Sequence, residues 1–138
     1  SKVNMDGVEL NVSFLPSAFS GSNGSFDKLD VNYTYIGKVE VSSGDALFSR
    51  YALENLKHQF SAGLSLNYTK WLRQSVYFRY ADRVTMNDYS VVDSRISIKS
   101  GQMGVFVDVT NIFDTIYKET NLVTLPGRWF KMGVSYQF

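Results

Sequence analysis

The clearest pattern in this chain is an alternation of apolar and polar residues with a period of two. It is most regular in residues 128–138, where Phe130, Met132 and Val134 alternate with mostly polar residues. Because side chains on a strand point to opposite faces in turn, this stretch predicts one strand with an apolar and a polar face. At about 3.3 Å per residue, a tilted strand of this length can cross a hydrocarbon layer.

The same alternation recurs along the chain and predicts seven strands. They fall at about residues 8–14, 29–39, 59–68, 72–80, 92–99, 103–110 and 128–138. Residues 69–71 form a tight turn, and Ser100-Gly101 predicts a two-residue hairpin turn. The other connections are long loops, at 15–26, 40–56, 82–88 and 111–127, with at most a helical turn near 51–55. Strands joined by hairpins predict an all-β, antiparallel up-and-down meander.

Ionised side chains fall on only one face of the predicted strands. The apolar faces carry none, and the other faces carry Glu9, Asp30, Lys38, Arg73, Arg79, Arg83, Asp93, Arg95, Lys99, Asp108 and Lys131. This predicts an apolar phase and an aqueous phase on opposite sides of one sheet. A soluble lipid-binding barrel has its apolar face inside, and an outer-membrane barrel has it outside. An ordinary half-buried sheet also alternates.

Three features favour the outer-membrane barrel. Short and long connections tend to alternate, as periplasmic turns and extracellular loops do. Aromatic residues such as Tyr68, Trp71 and Trp129 gather near strand ends, which suits a membrane interface. Several strands reach about ten residues, against five or six in most globular proteins. The 15–26 connection counts against this interpretation, because it is too long for a periplasmic turn.

Composition and the distribution of polar residues limit the function classes. The net charge is +1, and Lys and Arg are scattered, so no nucleic-acid partner is predicted. The chain has no cysteine and one histidine, His58, which we interpret as a rim or packing residue. No catalytic constellation is present, so we expect no enzyme, no cofactor and no resident metal. Asp82, Asp88 and Asp114 could bind Ca²⁺ in loops, but solvated loop charge explains them more simply.

Two C-terminal motifs carry a resemblance to a known family. Residues 107–119, V-D-V-T-N-I-F-D-T-I-Y-K-E, precede residues 126–138, P-G-R-W-F-K-M-G-V-S-Y-Q-F. In this order they resemble the end of TonB-dependent outer-membrane receptors. G-V-E at 7–9 resembles the start of another barrel strand in that family. Residues 51–60, Y-A-L-E-N-L-K-H-Q-F, most resemble cobalamin (vitamin B12) receptors of Bacteroidetes-type bacteria.

The resemblance implies a transmembrane β-barrel of 22 strands around a plug. Residues 1–138 would supply about seven C-terminal strands, without the plug. Bare sheet edges cannot lie in lipid, so the remaining barrel must come from elsewhere. The implied partners are outer-membrane lipid, the N-terminal plug and barrel remainder of the same receptor, and the TonB complex; a surface lipoprotein is left open. The implied function is active import across the bacterial outer membrane of a scarce large nutrient, cobalamin ahead of an iron-siderophore.

The same resemblance implies three groups of site residues. Lumen- or plug-facing side chains would be Arg73, Arg79, Arg83, Asp93, Arg95, Lys99, Asp108 and Lys131, although any wet barrel wall carries charge. Aromatic residues in or beside extracellular loops would contact an amphipathic ligand, although loop packing also explains them: Tyr51, Tyr89, Phe113, Tyr117 and Trp129. Tyr136 and Phe138 resemble the family's assembly signal.

Two other functions stay open from sequence alone. One is a soluble, lipocalin-like barrel that binds an apolar ligand. The other is an intact small outer-membrane barrel of eight strands. Detergent dependence would separate the soluble barrel from a membrane protein, and strand count would separate the small barrel from a receptor fragment.

Overall fold

The computed structural model describes residues 2–16, 25–42, 56–84, 86–120 and 123–138. The strands are β1 (Lys2–Phe14), β2 (Phe26–Ser42), β3 (Leu56–Asn67), β4 (Leu72–Arg83), β5 (Tyr89–Ser100), β6 (Met103–Thr110), β7 (Lys118–Thr120), β8 (Val123–Thr124) and β9 (Trp129–Tyr136). Seven of them form one antiparallel sheet in the order β1-β2-β3-β4-β5-β6-β9. The predicted all-β antiparallel meander is therefore confirmed.

The sheet is open within the described ranges. Its edges are β1 and β9, and these two strands do not pair with each other. No helix long or apolar enough to cross a membrane occurs in the part of the chain that the structure describes.

The strand register separates two faces. Along one cross-strand row, Leu10 lies opposite Tyr33, Tyr33 opposite Phe60, and Phe60 opposite Tyr80. We call this side the apolar face. Along another row, Arg95 lies opposite Asp108 and Asp108 opposite Lys131. We call that side the polar face. Cross-strand pairs of like polarity hold each strand in register, because a slip by one residue would exchange the two faces.

Burial is concentrated on the polar face. The buried apolar cluster is Ala81, Tyr89 and Val91, which lie on the polar face where β4 ends and β5 begins. Large residues of the apolar face remain exposed, with Met132 at 78% and Val134 at 69%. In a sheet folded on an apolar core in water, the apolar side would be covered and the charged side would face solvent. In the described part of this chain both sides are largely open, and the few buried strand residues lie on the polar face.

The observed elements differ from the sequence prediction in several places. β2 continues to Ser42, and the 111–127 connection contains the small β7–β8 hairpin. The second tight turn consists of Gly101 and Gln102, one residue later than predicted, because Ser100 still pairs with Met103.

The end of β4 corrects a further prediction. β4 continues through Asp82, which lies opposite His58 at the end of the apolar face, so the prediction of an uncharged apolar face is wrong there. His58 itself is a packing residue. Its Nδ1 lies 2.8 Å from the Tyr33 hydroxyl, and its ring stacks on Tyr35.

Candidate functional site

The charged residues predicted to face a lumen all lie on the polar face. The register places Arg73, Arg79, Arg83, Asp93, Arg95, Lys99, Asp108 and Lys131 there, on β4, β5, β6 and β9. The most ordered pair is Arg95 with Asp108, whose Nε–Oδ1 and Nη2–Oδ2 distances are 2.5 and 2.7 Å. Two parallel hydrogen bonds of this kind fix both side chains in one geometry.

Phe106 packs against Arg95 of this pair. Its ring centroid lies 4.7 Å from the Arg95 guanidinium carbon, within the range of a cation–π contact. The same ring lies over Gly133, where an added Cβ would collide with it. A glycine on the neighbouring strand therefore leaves room for an aromatic residue on an otherwise polar face.

The connection after β6 begins with a turn built by one asparagine. Asn111 has φ 51°, a conformation that asparagine tolerates better than most residues. Its side-chain NH₂ donates to the Thr115 carbonyl at 2.8 Å, and its side-chain oxygen accepts from the Thr115 amide at 2.9 Å. Its own amide donates to Asp93 Oδ1 at 2.8 Å, which ties the turn to β5.

Asp114, in the second half of the turn, binds the far end of the connection. Asp114, with φ 56°, accepts a 2.7 Å hydrogen bond from the Arg128 amide through Oδ1. A Cβ on Gly127 would collide with that carboxylate, so a larger residue there would displace Asp114 from its hydrogen bond with Arg128. We call the described residues of this connection, 111–120 and 123–128, the strap, and the hydrogen bonds of Asn111 and Asp114 its clasp. The clasp gives a physical reason for the N-I-F-D and P-G-R motifs.

The strap packs against the polar face. The Tyr117 ring lies 4.5 Å, centroid to centroid, from the ring of Tyr89. The Tyr89 hydroxyl donates to Glu119 Oε1 at 3.2 Å, and the same oxygen lies 4.0 Å from Arg79 Nη1. The sheet and the strap are thus joined by an aromatic contact and by one carboxylate shared between two partners.

A cavity of about 390 Å³ lies between the strap and the sheet. We call it the strap pocket. Its lining consists of Arg79, Asp93, Thr110, Asn111, Tyr117, Pro126, Gly127, Trp129 and Lys131. Two aromatic rings and three ionisable groups converge on a space the size of a small-molecule site, which can bind a flat group bearing a polar substituent.

The aromatic residues that were predicted to contact a ligand do not all lie at the strap pocket. Tyr117 and Trp129 line the strap pocket, and Tyr89 packs on Tyr117. Phe113 is 73% exposed and does not line the pocket. Tyr51 lies outside the described residues.

Sequence reasoning missed the two residues that organise this site, Asn111 and Glu119. The spacing of Asn111 and Asp114 was available as a turn signal, because both types adopt positive φ. Nothing in the local sequence placed Glu119 beside Arg79 and Tyr89, since this contact depends on how the strap folds back.

The chain end and the loop aspartates make simple local contacts. The Tyr136 hydroxyl donates to Gln102 Oε1 at 2.8 Å, and Phe138 packs edge-on against Tyr136. Asp88 accepts from the Tyr80 hydroxyl and Asp114 belongs to the clasp. In the described ranges, no cluster of three or more His, Asp or Glu side chains could hold a metal ion.

Comparison with protein-family models, with curated proteins and with solved structures finds no match to this chain.

Proposed function

We propose that this chain forms about seven C-terminal strands of a 22-stranded TonB-dependent outer-membrane transporter. The observation that carries the proposal is that the apolar face of the sheet is uncovered, while the few buried strand residues lie on the polar face. Val105, Met132 and Val134 are exposed on the apolar face, whereas Asp108 on the polar face is buried. A bilayer stabilises an exposed apolar face, and water in a barrel lumen suits a charged one.

The open sheet supports a receptor fragment over both alternatives. An eight-stranded barrel would need β1 and β9 to be joined, and they are the edges of the described sheet. A lipocalin-like barrel would bury its apolar face, and the buried cluster lies on the other side. Unpaired edge amides are costly in lipid, so the proposal requires further strands at both edges of this sheet to complete the barrel around the plug.

The proposed cargo is a scarce large nutrient, with cobalamin favoured over an iron-siderophore because residues 51–60 resemble cobalamin receptors. TonB supplies the energy by acting on the plug, and this chain supplies part of the wall and of the outer loops. A strain that lacks the chain should lose growth on trace cobalamin and keep growth under iron limitation. The opposite result would favour the iron chelate.

Spin labels test the orientation of the sheet. The chain has no cysteine, so single labels can be placed at Val105→Cys and Val134→Cys. In lipid vesicles that contain the purified particle, both labels should collide with oxygen, which enters lipid, more than with a water-soluble nickel chelate. Ser97→Cys and Ser135→Cys, on the polar face, are the matched controls and should show the reverse preference.

Nickel accessibility at both Val105 and Val134 would contradict the membrane orientation. The composition of the purified particle gives an independent test, because the proposal requires the plug and the remaining barrel strands to be present together with these seven. A monomer of the chain alone that stays soluble without detergent would contradict it.

A further inference from the structure

The strap pocket is lined by two cationic side chains: Arg79 has a weak counterion, and Lys131 shares Asp108 with Arg95. Arg79 Nη1 lies 4.0 Å from Glu119 Oε1, at the limit of an ion pair, and that oxygen already accepts from Tyr89. Arg79 Nε is buried and makes no hydrogen bond with any described residue. By contrast, Arg95 on the same face is held by two hydrogen bonds of 2.5 and 2.7 Å. Arg79 therefore lines the strap pocket with a hydrogen-bond donor that has no partner among the described residues.

Lys131 is the second cation. Its cross-strand neighbour is Asp108, but both carboxylate oxygens of Asp108 bind Arg95. Within the described part of the chain, the Lys131 ammonium forms no ion pair. Asp93, the carboxylate in the pocket lining, uses Oδ1 to accept from the Asn111 amide. The lining therefore holds two positive groups and one negative group that is already engaged in the clasp.

We propose that the strap pocket binds an anionic group, a carboxylate or a phosphate, carried on a flat ring. Arg79 and Lys131 contact the charge, and Trp129 and Tyr117 contact the ring, as aromatic and cationic groups commonly do. Glu119 competes with a bound anion for Arg79, because its carboxylate is the counterion of Arg79 when the pocket is empty. The inference rests on the proposed function, for which it names a class of substrate substituent. A volume of about 390 Å³ admits one substituent of a large nutrient, not its whole body.

Fluorine NMR of 4-fluorobenzoate tests the binding, with uncharged 4-fluorobenzamide as the control ligand. The purified particle should bind benzoate more tightly than benzamide, and inorganic phosphate should displace benzoate. Lys131→Met should weaken benzoate binding by about fivefold, the effect of losing one partly exposed charge contact. Glu119→Gln should strengthen it by a similar factor, because Gln still accepts from Tyr89 but no longer competes for Arg79.

Lys118→Met is the matched control variant. Lys118 carries the same charge on the strap, is exposed and does not line the pocket, so its loss should leave benzoate affinity unchanged. Equal affinity for benzoate and benzamide, or equal effects of Lys118→Met and Lys131→Met, would overturn the proposal. Weaker binding by Glu119→Gln would also overturn it, and a folding defect cannot mimic the strengthening that is expected.

The outcome of the benzoate titration does not depend on the membrane orientation of the sheet. If the label at Val134 lies in water, the transport proposal fails, and the benzoate titration still decides whether the pocket selects anions. If the label lies in lipid and benzoate does not bind, only the anion site fails.

Discussion

The two faces of the sheet are stabilised in different ways. On the polar face, side chains bind one another: Arg95 pairs with Asp108, and the clasp ties the strap to β5. On the apolar face, residues such as Met132 and Val134 form cross-strand rows but stay mostly uncovered. The polar face carries its own hydrogen-bond network, whereas the apolar face stays largely uncovered among the described residues.

Neighbouring residues on β9 show this difference within one step of the chain. Val134 points to the apolar face and lies opposite Val105. Gly133 lies on the polar face, where the Phe106 ring covers it. Hydrophobicity therefore does not predict burial here, because the face on which a residue lies decides what surrounds it.

The largest expected effect comes from a charge on the apolar face. Val134→Arg should reduce the free energy of unfolding in lipid vesicles by up to about 2–4 kcal/mol, because a guanidinium must then be solvated near hydrocarbon. Urea titration of the reconstituted particle measures this change in the free energy of unfolding.

Ser135→Arg is the matched control for this substitution. Ser135 is the next residue on β9 and lies on the polar face, so the same side chain should cost less than about 0.5 kcal/mol there, as is usual for exposed positions. Equal losses at Val134 and Ser135 would contradict the comparison between the faces.

A smaller effect is expected on the polar face, at the clasp. Asn111→Ala should reduce stability by about 1–3 kcal/mol, because it leaves the partly buried amide and carbonyl of Thr115 without partners. Hydrogen exchange should accelerate at the Thr115 amide and along the strap.

Asn111→Gly separates the loss of the side-chain hydrogen bonds from the backbone strain that alanine adds at a positive φ. Glycine keeps the positive φ and loses the side-chain hydrogen bonds, so it should be less damaging than alanine but still worse than the native chain. Slow exchange at Thr115 in both variants would mean that the clasp does not hold the strap.

The smallest effect on stability is expected at the chain end. Phe138 is fully exposed and packs edge-on against Tyr136, so its deletion should change the free energy of unfolding by less than about 0.5 kcal/mol. If Phe138 is part of an assembly signal, the deletion should nevertheless lower the amount of chain in outer-membrane fractions of cells. Normal amounts there would argue against that role.

Periodicity predicted the sheet well because cross-strand rows depend on the period of two. Val105 and Val134 were assigned to the apolar face, and Arg95 and Lys131 to the polar face, from their positions alone. The ends of strands were less predictable. Asp82 was assigned to a loop because it is charged, yet pairing with β3 extends β4 through it.

The site was only partly predictable, because it depends on the path of a long connection. Tyr117 and Trp129 could be selected as aromatic residues near strand ends, but their shared pocket requires the strap to fold onto β4 and β5. That path is set by Asn111 and Asp114, whose hydrogen bonds join residues far apart in sequence. Periodicity carries no information on such contacts.

The length of β2 has a consequence for the outline of the proposed receptor. Its 17 residues span about 55 Å, and a tilt near 45° leaves roughly 40 Å along the membrane normal. The hydrocarbon core is only about 30 Å thick. β2 would therefore extend about 10 Å beyond the hydrocarbon core, and its far end, paired with β1, would carry the regular sheet into the headgroup layer.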